Sequence, residues 1–139
     1  MNQISEIAQN LNGQKFSTIL ADPPWRFRNR TGKIAPENTK NKRYSTMPLN
    51  DIKSLDIPEL CEETAHLYLW TPNALLQEGL NVMKEWGFEY KTYIVWEKIR
   101  KDNELHEGGV GFYFRNNTEL LLFELPNIKL SLFVLEINE

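Results

Sequence analysis

Phe16-Ser17-Thr18-Ile19-Leu20-Ala21, followed at once by Asp22-Pro23-Pro24-Trp25, is the stretch that decides the fold. Phe16 to Ala21 is rich in β-forming residues and reads as a short strand. Two consecutive prolines, Pro23 and Pro24, cannot continue a hydrogen-bonded ladder, so the strand stops and the chain turns. In open α/β sheets ligands gather beyond the carboxyl ends of the strands, which makes Asp22 a candidate functional carboxylate. With ordinary residue usage, Asp-Pro-Pro-Trp would arise by chance in a chain of this length about once in several thousand cases.

On the amino-terminal side, Ile4, Ile7 and Leu11 recur at helical spacing, and Asn12-Gly13 would end that short helix or arm. After Trp25 the chain from Arg26 to Tyr44 is polar, contains Gly32 and Pro36, and has no periodicity, so it reads as a long loop. Asn50 is placed to cap a short helix containing Ile52 and Leu55, which Pro58 interrupts. Ala65 to Trp70 reads as a second strand, and Thr71-Pro72 as a cap followed by proline at the first helical position. Leu75, Leu76, Leu80, Val82, Met83 and Trp86 then share one broad helical face, and Gly87 ends the helix. Tyr90 to Trp96 and Thr118 to Phe123 read as further strands around a charged, glycine-containing loop, with Leu130 to Leu135 as a fifth. Strand, loop, short helix, strand, helix, strand is an α/β pattern, expected as one mostly parallel sheet within a single domain over 1–139.

Charge is unevenly spread. The chain has 139 residues and a formal net charge of -3, so as a whole it is no basic nucleic-acid binder. Yet Arg26, Arg28, Arg30, Lys33, Lys40, Lys42 and Arg43 fall together against a single acid, Glu37. Such a stretch either meets phosphates or is a solvated connector. Cys61 is the single cysteine, and His66 and His106 stand far apart, so no disulfide and no metal-ligand spacing is read, and no metal is expected. A reducing, cytoplasmic setting fits, and no apolar run approaches membrane-spanning length.

More of the chain then falls into a familiar order. Ile19 to Trp25, Tyr44-Ser45-Thr46-Met47, Leu67 to Thr71, Trp86-Gly87-Phe88, Trp96-Glu97-Lys98, Gly109-x-Gly111 and Arg115-Asn116-Asn117-Thr118-Glu119 resemble, in sequence, the landmarks of the MT-A70 family of S-adenosylmethionine-dependent adenine-N(6) methyltransferases, which includes bacterial and phage DNA enzymes. The resemblance runs from about Phe16 to Phe123. It implies a Rossmann-like methyltransferase fold, permuted so that the catalytic motif precedes the cofactor motif, with an incomplete sheet. It also implies S-adenosylmethionine as cofactor and nucleic acid as substrate, DNA before RNA by analogy.

The chemistry suits the residues. An exocyclic aromatic amine is a poor nucleophile because its lone pair is drawn into the ring. Two acceptors aimed at its N–H bonds favour the tetrahedral form that attacks a methyl group. The Asp22 carboxylate and the Pro23 carbonyl are placed to be those acceptors, and the prolines fix the loop. Trp25 would give a flipped-out base a face to stack on. By resemblance, Asp22, Asn117 and Glu119 would serve the cofactor, and Tyr44, Arg26, Arg28, Arg43 and Lys98 the nucleic acid.

From Glu124 the sequence leaves the family pattern, and no glycine follows Gly111 to form a cofactor turn. A genuine short variant, a truncation or a reading-frame change near Phe123 would explain this. The expectation is then a chain that binds S-adenosylmethionine weakly on its own and transfers methyl groups only at trace level, or one completed by a second chain. The alternative is a catalytically inactive remnant or nucleic-acid-binding subunit.

Overall fold

The computed structural model describes residues 9–26, 46–102, 114 and 116–124. Tyr44, Arg28, Arg43, the Ile4–Ile7 part of the first helix and the Leu130–Leu135 strand lie outside them. The described chain runs β1 (Phe16–Ala21), α1 (Leu49–Lys53), a 3-10 turn (Ile57–Leu60), β2 (Cys61–Pro72), a second 3-10 turn (Asn73–Leu75), α2 (Leu76–Glu85), β3 (Thr92–Glu97) and β4 (Thr118–Glu124).

The four strands form one sheet in the order β1-β2-β4-β3. β1 pairs parallel with β2, whereas β4 pairs antiparallel with both β2 and β3. β1, β2 and β3 therefore point one way, and β4 alone runs against them. The expectation of a mostly parallel sheet holds for strand direction but fails for pairing, because the inverted strand sits between two of the others. β1 spans Phe16–Ala21 and β4 starts at Thr118, as expected, while other strand ends are adjusted. β2 begins at Cys61 and carries Thr71-Pro72 as strand, so these two do not open the helix; β3 begins at Thr92. Asn50 does not cap α1, which starts one residue earlier after Pro48, and Leu55 lies beyond its end.

One face of the sheet is packed. Leu67, Leu69, Thr71, Leu120 and Leu122 alternate inward and meet Ile52 of α1 and Val82, Met83 and Trp86 on the α2 side. Burying side chains of this size contributes about 1.5–3 kcal/mol each, which is why this layer fixes the architecture. Trp86 keeps its polar atom satisfied by donating from Nε1 to the Ile52 carbonyl at 3.1 Å. Gly87, at φ +82°, ends α2: its N–H bonds the Lys84 carbonyl at 3.0 Å, and the next N–H, of Phe88, reaches the Met83 carbonyl at 2.9 Å. Gly79 lets α2 approach β2, since a Cβ there would lie 2.5 Å from the Thr71 methyl.

The other face follows from register. Leu20 pairs with Tyr68, Tyr68 with Phe123, Trp70 with Leu121, and Ile94 with Leu121, so these side chains share the face away from α2. Among the described residues no helix covers it. Leu20 is 66% exposed and Ile94 54%.

Candidate active site

The loop after β1 is built almost entirely from backbone hydrogen bonds that its prolines permit. The Trp25 N–H donates to the Pro23 carbonyl at 2.8 Å, and the Met47 N–H donates to the Pro24 carbonyl at 2.8 Å. Trp25 and Met47 form a parallel bridge, so the two ends of the long basic segment meet here. Arg26 reinforces the junction, donating from Nε to the Thr46 hydroxyl at 3.2 Å and from Nη2 to the Thr46 carbonyl at 3.0 Å. That makes Arg26 a clasp at the base of the segment.

Trp25 departs from expectation in this conformation. Its side chain is only 8% exposed and joins the core, with Nε1 donating to the Trp70 carbonyl at 2.9 Å. A ring so enclosed anchors the loop to the end of β2 and presents no free face to a base. The aromatic surface lies elsewhere: Trp96, 49% exposed, makes an edge contact with Trp70 at a centroid distance of 5.5 Å. The sequence marks Trp96 as a landmark, but only the sheet register shows that it shares a face with Trp70.

Asp22 is exposed and follows the last residue of β1, which pairs with Leu69. Its carboxyl feels the charge of Glu119, which lies on the sheet face that carries Trp70 and Trp96. Partial burial, and then the negative charge of Glu119, push the Asp22 carboxyl above its ordinary range. Lys98 pairs with Glu119 and lies 5.4 Å from the centroid of the Trp96 ring. Expected on different ligands, Lys98 and Glu119 are brought together, because β3 and β4 pair antiparallel and the Lys98 N–H reaches the Asn117 carbonyl at 2.8 Å. The Asn117 side chain donates to Glu97 at 3.2 Å. This contact secures the strand ends. Asn73, which the sequence did not single out, donates to Thr118 Oγ1 at 2.9 Å and ties the turn after β2 to the start of β4.

Asp22, Glu119 and Lys98 thus lie beside exposed indole at one end of the sheet. Two carboxylates and one ammonium leave net negative charge, which suits a ligand bearing a cationic centre. A sulfonium with an amino-acid tail has that character, so the residues present fit S-adenosylmethionine in charge. Among the described glycines, Gly13 and Gly87 have open space around them and Gly79 faces Thr71, so none forms a backbone cradle at this site.

Residues 16–127 match the protein family described as MT-A70. The chain is 30% identical over 114 residues to the type II methyltransferase M.MunI of Mycoplasma sp, covering 71% of this chain and 49% of that protein. It is 34% identical over 100 residues to the N6-adenosine-methyltransferase non-catalytic subunit MTB of Arabidopsis thaliana, covering 70% and 12% respectively. To the N(6)-adenosine-methyltransferase catalytic subunit METTL3 of Homo sapiens it is 24% identical over 106 residues, covering 76% and 16%. The chain therefore spans about half the length of M.MunI and less than a fifth of the two eukaryotic subunits.

Proposed function

Because this chain belongs to the MT-A70 family of methyltransferases, we propose that it directs a methyl group from S-adenosylmethionine to the exocyclic amino group of adenine in nucleic acid, with Asp22 as the principal acceptor for the amine. The observation that carries this reading is the position of Asp22. It is an exposed carboxylate directly after a parallel strand, in a loop held by prolines, beside a second carboxylate.

When bound, S-adenosylmethionine supplies an electrophilic methyl on sulfur. Asp22 and Glu119 would favour its cationic centre, and Lys98 its carboxylate. Asp22 accepts one N–H of the amine. The Pro23 carbonyl, which accepts from Trp25 in this structure, would accept the other N–H through its second lone pair. The lone pair of the amine is then released from the ring for attack. A carboxyl with a raised pKa is also a better proton acceptor, so Asp22 is suited to take the proton the methylated amine loses. Trp96 offers the face on which the base stacks, while Trp25 keeps the loop in place. No covalent enzyme intermediate is needed, and positioning with electrostatics does the work.

We favour DNA over RNA by analogy with the type II methyltransferase, to which the chain is 30% identical over 114 residues. A second reading, a subunit that binds but does not transfer, draws on the 34% identity to a subunit named non-catalytic. The two part in one assay. The chain is incubated with methyl-labelled S-adenosylmethionine and adenine-containing DNA or RNA, and the nucleosides are separated. Label in N6-methyladenine from DNA supports the first reading. Nucleic-acid binding with no label in either polymer supports the second.

A further inference from the structure

At the end of the sheet opposite Asp22, a cleft of about 580 Å³ opens between the start of β2, the segment after α2 and the end of β4. Its walls include Glu62, Glu63, Glu89 and Glu124, with Lys15 as the base among the residues lining it. The strands are irregular here: Phe16 pairs with Cys61 but Thr18 already pairs with His66, so Ser17 of β1 is opposed by the whole stretch 62–65 of β2. Such a bulge turns side chains out of the normal alternation, and it leaves Glu62 and Glu63 exposed at the rim. Glu124 is different. It is 7% exposed, and one of its carboxylate oxygens, Oε2, is buried with no hydrogen-bond partner among the described residues. A buried acceptor left unpaired is costly, which marks this position as one that gains from a donor.

The donor's chemistry follows from how the acids are spread. No group of three or more His, Cys, Asp or Glu among the described residues is close enough to hold a metal ion. Carboxylates placed on separate segments along a cleft instead match a cation whose charges are spaced along a chain. Pro58 and Phe88 provide apolar wall between them, which suits methylene linkers. We propose that this cleft binds an aliphatic polyamine, with ammonium groups meeting Glu124 on the inner wall and Glu62 and Glu63 at the rim. The site lies a strand's length from Asp22 and does not depend on the methyl-transfer reading.

Spermidine is the probe, titrated calorimetrically into the full chain at low ionic strength. One binding site is expected. Glu62→Gln with Glu63→Gln should weaken it about tenfold, the sum of two partly exposed ion pairs. Glu124→Gln should weaken it further, n-butylamine should bind more weakly than spermidine, and Asp22→Asn should leave affinity unchanged. Because Glu62 and Glu63 are exposed, their double variant tests the site even where Glu124→Gln disturbs folding. Absence of binding, equal affinity in the double variant, loss of binding in Asp22→Asn, or displacement by magnesium chloride at equal charge would each overturn the proposal.

Discussion

Asp22 is the residue on which the proposed chemistry turns, and its environment makes a pH prediction. Burial and the Glu119 charge raise its pKa, so in the folded chain it holds its proton to higher pH than in the unfolded chain. Well below the ordinary carboxylate value both states are protonated and Asp22 contributes nothing to stability. As pH rises from there to the raised value, the unfolded chain ionises first and the fold loses stability; above it the loss is complete. Asp22→Asn should therefore raise the melting temperature slightly at neutral pH while removing methyl transfer. Unchanged or lower melting would contradict the cost of ionising Asp22 in the folded chain. The acid limb of the activity profile should lie above the usual carboxylate range, and Glu119→Gln should move it to lower pH by removing the like charge. A limb that stays in place would separate Glu119 from Asp22. The position of Asp22 at a strand end is legible in sequence because a proline pair must stop a strand. The burial of Trp25 is not, since an indole reads the same whether it stacks on a base or fills a core.

Among the elements, the contact of α2 with β2 is the most constrained. Gly79 stands where a Cβ would lie 2.5 Å from the Thr71 methyl and 2.7 Å from its hydroxyl, both belonging to a fully buried side chain. Gly79→Ala gains helix propensity but must push the helix off the sheet. A net loss of roughly 1–3 kcal/mol in urea unfolding is expected. Pairing Gly79→Ala with Thr71→Ser, which removes the closer atom, should recover part of it. A neutral single variant would mean that the contact yields easily. α2 and its glycine stop are legible because Leu75, Leu80, Val82, Met83 and Trp86 recur on the packed side and Gly87 follows; Leu76, read onto the same face, is exposed. The inversion of β4 is not. A short apolar strand carries no direction in its pattern, and Lys98 and Asn117, which meet at the β3–β4 junction, are too far apart in sequence for a tight-hairpin signal.

For the molecule as a whole, one described surface and one stretch of sequence stand out. The sheet face bearing Leu20, Ile94 and Trp96 is apolar and uncovered among the described residues, and β3 is an edge strand with every residue exposed. Such surfaces invite association. Sedimentation velocity should show self-association that Ile94→Lys reduces; a chain monomeric at all concentrations would mean that this face is covered. The basic segment gives the second test. Neutralising Arg28, Arg30, Lys40, Lys42 and Arg43, while keeping the Arg26 clasp, should flatten the salt dependence of DNA binding. The slope of log K against log salt should fall by about 0.9 for each phosphate that is no longer neutralised. An unchanged slope would leave the segment as a solvated connector.

The most direct test is methyl transfer itself, run at high protein concentration with sensitive nucleoside mass spectrometry, comparing the wild-type chain with Asp22→Ala on adenine-containing DNA. Since Asp22 is exposed, the variant should fold, which circular dichroism can verify. The wild-type chain should yield N6-methyladenine above the protein-free background, at trace level or better, and Asp22→Ala should yield none. Equal yields from the two, including none from either, would contradict the assignment of Asp22 as the group that prepares adenine for methyl transfer.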